Sequence, residues 1–253
     1  MIPKKIHYVW LSKNNMSDTV KKCMDSWKNV MPEYEIKLWN EDNFNIFENK
    51  LVRVAYENGF YSLASDYIRL YALYNEGGLY FDTDIEIIKP LDDSIFSNGF
   101  FGCIEISEFL VKHLKADRQL DKNGRLNHSK LRPFTRSISV MSAFMGGVRN
   151  NMFCRKALEA YDNASDILLE NMLQAKIIAP QFYADVLYDF GFCYKDKKQT
   201  LTNNITIYPS DLCWWRHHDK KKKAKASLIH YASGTGWSEN TGDNLVNYIR
   251  KWV

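Results

Sequence analysis

The stretch Leu63-Ala64-Ser65-Asp66-Tyr67-Ile68-Arg69-Leu70, continued after one more helical segment by Gly77-Gly78-Leu79-Tyr80-Phe81-Asp82-Thr83-Asp84, decides the architecture. Leu63, Tyr67, Leu70, Tyr71 and Tyr74 recur at helical spacing, which predicts a helix from Leu63 to about Glu76. Gly77-Gly78 ends it, because glycine tolerates the backbone turn that closes a helix. Leu79-Tyr80-Phe81 follows at once as an apolar strand, with Asp82-Thr83-Asp84 at its mouth. Ile85-Glu86-Ile87-Ile88 then resumes as strand until Pro90. A helix feeding a buried strand that ends in carboxylates is the layout of an α/β protein with its ligand site at the strand ends.

Working outward, Ile6-His7-Tyr8-Val9-Trp10-Leu11 is a short run of strand formers. Asp18 is placed to cap a helix whose inner face is Val20, Met24, Trp27 and Val30. Tyr34 to Trp39 alternates with period two, so the first forty residues predict a βαβ unit with a parallel pair. A helix over Leu51 to Asn58 precedes the decisive stretch. Downstream, Phe100 to Ile106 reads as a strand and residues 107–137 as a polar excursion. Ser142 to Gly147 reads as a buried strand whose glycines allow close backbone approach. Helices are expected over 151–171, 180–190 and 243–252, and strands over Ile205–Tyr208 and Leu228–Tyr231. Alternating strands and helices give an α/β fold with a mostly parallel sheet flanked by helices, in one domain.

The 253 residues, 45% hydrophobic and 25% charged, exclude disordered, collagen-like and low-complexity classes. An aromatic share of 14% suits the stacking of flat ligands or sugars, and equally a large core. The net charge of +4 is too small to imply a nucleic-acid partner. The excess is local: Lys220, Lys221, Lys222, Lys223 and Lys225 form one run beside His217 and His218. Such a run is either a solvated loop or a contact for an anionic membrane surface or a phosphorylated substrate. Five cysteines without a C-x-x-C pair argue against a disulfide framework or zinc cage and suit the reduced thiols of a cytoplasm. The opening Met1-Ile2-Pro3-Lys4-Lys5 lacks a signal-peptide core, and no apolar run reaches the roughly 18 residues of a membrane span. The expected protein touches a membrane at most peripherally, at its inner face.

Asp82 and Asp84 carry the sharpest chemistry. Two carboxylates at the end of a buried strand repel each other unless a cation lies between them. Oxygen ligands suit Mg²⁺ or Mn²⁺, which keep positions open for phosphate oxygens. Asp66 and Arg69 share one face of the preceding helix. Taken singly, a D-x-D is common and an exposed Asp–Arg pair is worth under about 1 kcal/mol.

Together, the string Ser65-Asp66-Tyr67-Ile68-Arg69 with Gly77-Gly78-Leu79-Tyr80-Phe81-Asp82-Thr83-Asp84 resembles the signature S-D-x-x-R…G-G-x-Y-x-D-x-D of glycosyltransferase family 32 and of the catalytic domains of large clostridial glucosylating toxins. Ile6-His7-Tyr8-Val9-Trp10 resembles the first strand of that family, and Ile229-His230-Tyr231 through Trp237 its closing segment. The resemblance implies a GT-A-type, Rossmann-like fold over residues 1–253, with a nucleotide-sugar-binding half at 1–100 and an acceptor half with a closing tail at 101–253. It implies a nucleotide-sugar donor, most simply a UDP-sugar, with Mn²⁺ or Mg²⁺. Trp10 would stack on the base, with His7 beside it among the donor-binding residues. Asp66 and Arg69 would hold the sugar hydroxyls and orient the leaving group. Asp82 would face the ribose and the metal, and Asp84 would ligate the metal. His230 matches a position that supplies a further ligand in related metal-dependent families, whereas toxin-like members use other oxygen ligands there. Ser233 and Trp237 would cover the diphosphate.

The resemblance further implies a retaining transfer by front-face substitution, in which the leaving phosphate takes the acceptor proton. The short single-domain form resembles bacterial enzymes of capsule or other surface-polysaccharide assembly, which use saccharide or lipid-linked acceptors. Ile178-Ala179-Pro180-Gln181 departs from a family G-P segment near the acceptor, with Ala179 in place of glycine. Glu105 and residues 107–137 are candidates for the acceptor cleft. Two rival readings are a non-catalytic sugar-nucleotide or glycan-binding module and an aspartyl-phosphate phosphatase. The phosphatase signature wants Thr or Val where this chain has Glu86.

Overall fold

β1 (Lys5–Val9) and β2 (Glu35–Trp39) lie parallel, with Ile6 opposite Ile36 and Tyr8 opposite Leu38, and α1 (Asp18–Val30) crosses between them. The computed structural model describes residues 1–11, 15–106, 120–126, 137–174, 177–215 and 220–232. The cap of α1 lies one residue earlier than Asp18, where it was expected. The Ser17 hydroxyl accepts from the Val20 amide, and Asp18 becomes a first-turn acid that favours the helix dipole. α2 (Lys50–Glu57) is capped by Asn49 and leads into α3 (Tyr61–Glu76). β3 (Gly78–Phe81) then adds to the free edge of β1, also in parallel, with Ile6 opposite Leu79.

The chain next forms β4 (Ile85–Ile87), β5 (Phe100–Ile106), β6 (Ile138–Val140) and β7 (Phe144–Gly147). α4 (Met152–Asp162), α5 (Asp166–Leu173) and α6 (Ala179–Tyr188) follow. β8 (Gln199–Leu201), β9 (Ile205–Tyr208), β10 (Cys213–Trp215), α7 (Lys220–Lys223) and β11 (Leu228–His230) come after them. The expected helix over 151–171 is two helices, because Ser165 accepts from the Leu168 amide and starts a new one. The expected helix over 243–252 lies outside the described residues.

The main sheet has the order β2-β1-β3-β7-β5-β9-β8, with β6 paired to β5. β2, β1, β3, β5 and β9 point one way, so the sheet is mostly parallel. β7 runs against its neighbours β3 and β5. Its glycines do what was expected of them: a Cβ on Gly146 would lie 2.5 Å from the Phe101 ring. Helices α2, α3, α4 and α6 bury one face of the sheet through Val52, Ile68, Leu73, Phe153 and Tyr183. The other face is buried around Trp27, Phe81, Phe144 and Leu228. A second sheet, β10-β11-β4, stands beside it and is held to α1 by Trp27, whose indole N–H donates to Ile85 O at 2.7 Å.

His7 ties β1 to the end of α3. It is fully buried, its Nε2 lies 2.8 Å from Gly77 O, and Trp39 Nε1 lies 3.0 Å from its Nδ1. Indole nitrogen can only donate, so Nδ1 accepts and Nε2 carries the proton given to Gly77. The turn needs this support because Gly77 and Gly78 have φ of +67° and +114°. A Cβ on Gly78 would sit 2.6 Å from Lys5 O. Burial pulls the His7 pKa down to about 4. Between about pH 6.5 and pH 4 the unfolded chain therefore takes up a proton that the native His7 refuses, and stability falls as pH falls through that window, by up to about 3 kcal/mol. Urea unfolding across that range should show a smaller acid-side loss in His7→Gln than in the parent chain. An unchanged slope would assign the acid sensitivity to other groups.

Candidate active site

The site forms where α3, the loop after β3 and β11 meet. Arg69 is its anchor. Flanked by Ile68 and Leu70, which are fully buried, it is only 3% exposed. Its Nε donates to Ser65 O at 3.1 Å, one terminal nitrogen donates to Ser142 O at 2.9 Å, and the other to Ser65 Oγ at 2.7 Å. That last nitrogen also pairs with Asp66 at 3.0 Å and with Asp82 at 3.4 Å. The guanidinium lies 4.7 Å from the centre of the Tyr80 ring, and the Tyr80 hydroxyl donates to Asp82 Oδ1 at 2.8 Å. Tyr183 OH donates to Asp66 O at 2.9 Å and fixes α6 against this turn of α3. Burial pushes the Asp66 carboxyl up to about 7, with Arg69 opposing the rise and Asp82 adding to it.

Asp82 closes β3: its amide donates to Ala143 O at 2.8 Å, and the Ile85 amide returns to Asp82 O at 3.0 Å. This tight turn carries Thr83 and Asp84, both buried, into the small sheet. There β11 pairs antiparallel with β4, so His230 stands opposite Ile85. His230 Nε2 lies 3.4 Å from Asp84 Oδ1. Burial works to lower the His230 pKa, but Asp84, then Asp82 and Glu105, outweigh it and the pKa is raised. Glu105, half-buried at the end of β5, is pushed up to about 7 by burial, with His230 opposing and Asp82 adding.

Ligand atoms of Asp82, Asp84 and His230 all lie within 4.8 Å of one another. The Nδ1 of His230 is buried without a hydrogen-bond partner. Arg69 is shared by Asp66 and Asp82, while Asp84 faces His230, and Glu105 feels both His230 and Asp82. Two carboxylates and an imidazole, in surroundings with more acidic than basic groups, fit a divalent ion of the Mg²⁺ or Mn²⁺ kind.

The structure thus brings Asp66, Arg69, Asp82, Asp84 and His230 together. Both ring nitrogens of His7 have partners within the fold, Gly77 O and Trp39 Nε1. Trp10 follows β1 with its ring half-buried against the core and its amide bonded to Trp39 O at 3.0 Å. Ser233 and Trp237 lie outside the described residues, as do 107–119 and 127–136 of the polar excursion, and His217 and His218. At the start of α6, Gln181 accepts from the Ile178 amide at 3.1 Å. The sequence reading gave no role to Tyr80 or Ser65. Both are part of the motif string itself and could have been found there. Ser142, which acts through its carbonyl, and Tyr183 left no such signal.

Residues 17–101 match the family model described as the glycosyltransferase sugar-binding region containing the DXD motif. On that match the enzyme class is glycosyltransferase. The matched region runs from the cap of α1 into β5 and contains Asp66, Arg69, Asp82 and Asp84. No curated protein matches the sequence. Among solved structures, the chain is similar to the PaToxG glycosyltransferase at 17% identity, over 74% of this chain and 69% of that one, with a TM-score of 0.46. It is similar to the galactosyltransferase LgtC, solved with donor and acceptor sugar analogues, at 12% identity over 98% and 96% of the two chains, with a TM-score of 0.44. A glycosyltransferase involved in glycosylation of the major capsid of PBCV-1 is similar at 8% identity over 98% and 99%, with a TM-score of 0.45.

Proposed function

We propose that the chain transfers a hexose from a nucleotide sugar, most simply a UDP-sugar, to a saccharide or lipid-linked saccharide acceptor in the synthesis of a bacterial surface polysaccharide of capsular type. The observation that carries this reading is the convergence of Asp82, Asp84 and His230 beside the Arg69-bound pair of Asp66 and Asp82. Asp82, Asp84 and His230 would hold Mn²⁺ or Mg²⁺. When bound, such an ion supplies electrostatic stabilisation of the charge that grows on a departing diphosphate.

The remaining roles belong to side chains. Trp10 would stack on the base at the end of β1. Asp66 would accept hydrogen bonds from the donor sugar. Arg69, with its nitrogens engaged by Ser65, Ser142, Asp66 and Asp82, would keep both carboxylates oriented and lend its charge to the donor end of the site. Ser233 and Trp237 would shield the diphosphate from water. The transfer would retain configuration through an oxocarbenium-like transition state, the leaving phosphate accepting the acceptor's proton. The setting would be cytoplasmic, at the inner face of the membrane.

A screen of UDP- and GDP-sugars with Mn²⁺ tests the reading. Slow release of free sugar and nucleoside diphosphate from one donor is the expected result. Release of inorganic phosphate would point to a phosphatase, and binding without turnover to a recognition module.

A further inference from the structure

The small sheet has a face that the site does not use. Along β4 and the residue after it, Ile85 and Ile87 are buried while Glu86 and Ile88 alternate to the other side, as strand side chains must. Ile88 is 39% exposed, and Tyr231, just after β11, is 37% exposed. The Tyr231 hydroxyl is bonded to the Glu86 carboxylate, which also pairs with Lys22 at 3.2 Å. Lys89 stands next to Ile88, and its ammonium donates to Ala224 O at 2.8 Å, which fastens this edge to the lysine run. Lys221, Lys223 and Lys225 are exposed, and Lys223 Nζ lies 4.9 Å from the centre of the Trp214 ring. Lys22 of α1 thus lies against Glu86, and Lys89, beyond β4, is fastened to the lysine run, with an aliphatic and an aromatic side chain exposed beside them.

We propose that this face docks the protein on an anionic membrane, with Lys22, Lys89, Lys221, Lys223 and Lys225 toward the headgroups and Ile88 and Tyr231 at the headgroup boundary. The cations described here are all lysines, compact point charges that suit a diffuse charged surface better than the bidentate grip of a single phosphate. Each lysine near such a surface is worth about a fivefold change in affinity. Exposed Ile88 and Tyr231 gain from a lipid boundary and gain little from a soluble phosphate or a nucleic-acid backbone. Tyr231 directly follows His230, and β4 directly follows Asp84, so a membrane held here lies one strand away from the candidate site. The docking itself is independent of the glycosyltransferase reading. That it brings a lipid-linked acceptor to the site rests on that reading.

The test is sedimentation with vesicles of phosphatidylcholine alone and of an equal mixture with phosphatidylglycerol. The chain should bind the mixture, ignore pure phosphatidylcholine, and be released as salt is raised. Lys221→Gln, Lys223→Gln and Lys225→Gln in combination should weaken binding on the order of a hundredfold, at an unchanged melting temperature and rate of donor hydrolysis. Ile88→Ser should weaken it about tenfold and leave the salt dependence in place. Failure of the parent chain to bind the mixed vesicles, or equal binding by the triple variant, would overturn the proposal. Displacement by millimolar inorganic phosphate, or equally tight binding of single-stranded RNA, would overturn it in favour of a phosphate pocket or a nucleic-acid surface. If donor hydrolysis is absent while vesicle binding behaves as expected, the transferase reading fails and the docking surface stands.

Discussion

Arg69→Ala should cost about 3–5 kcal/mol of stability and, in the same variant, remove most turnover. The guanidinium is 3% exposed, so its loss leaves Asp66 and Asp82 close together without their shared cation. It also frees Ser142 O, the backbone acceptor through which Arg69 holds α3 to the segment between β6 and β7. Arg69→Lys should recover little of either property, because one ammonium cannot reach three directions at once. Urea denaturation and donor hydrolysis measured on the same preparations check this. Near-parental stability in Arg69→Ala would show that the two carboxylates are accommodated without it.

Asp84→Asn should lower turnover at least about a hundredfold and leave the fold intact, since the amide keeps the size of the side chain and loses its charge. Exhaustive chelation should abolish activity, and Mn²⁺ or Mg²⁺ should restore it in the parent chain far more readily than in the variant. His230→Ala should weaken the metal requirement's midpoint about 10–100-fold, through the loss of one imidazole ligand. Calorimetric titration with Mn²⁺ reads both effects directly. Full activity after chelation would remove the ion from the mechanism.

Much of this molecule could be read from its residues because the informative signals are local. The spacing of Leu63, Tyr67, Leu70 and Tyr74, the glycine pair and the apolar run Leu79–Phe81 mark α3 and β3 to within two residues. The same holds for the β1-α1-β2 unit, whose parallel pairing follows from the length of its crossover. What escaped was set by distant partners. Nothing in Phe144–Gly147 states that it runs antiparallel between β3 and β5, and the three-residue strands β8 and β10 are too short to show a period. The break between α4 and α5 was legible in Ser165-Asp166 as a second helix start, and the unbroken apolar pattern concealed it. At the site, the motif identified the residues and could not give their engagements. Arg69 proved to be a buried clamp on two carboxylates, and His7 a support for the glycine turn.

The pairing of β4 with β11 has a consequence for how the protein comes into being. Synthesis proceeds at roughly 5–20 residues per second, and domains form from the N-terminal end as they emerge. α3, β3 and the Asp82–Asp84 turn are made early, whereas Leu228–His230 is among the last described segments to appear. Until then one edge of β4 has no strand to bond with, and two of the three grouped side chains wait for the third. The nascent chain can thus acquire much of its core before Asp82, Asp84 and His230 are brought together.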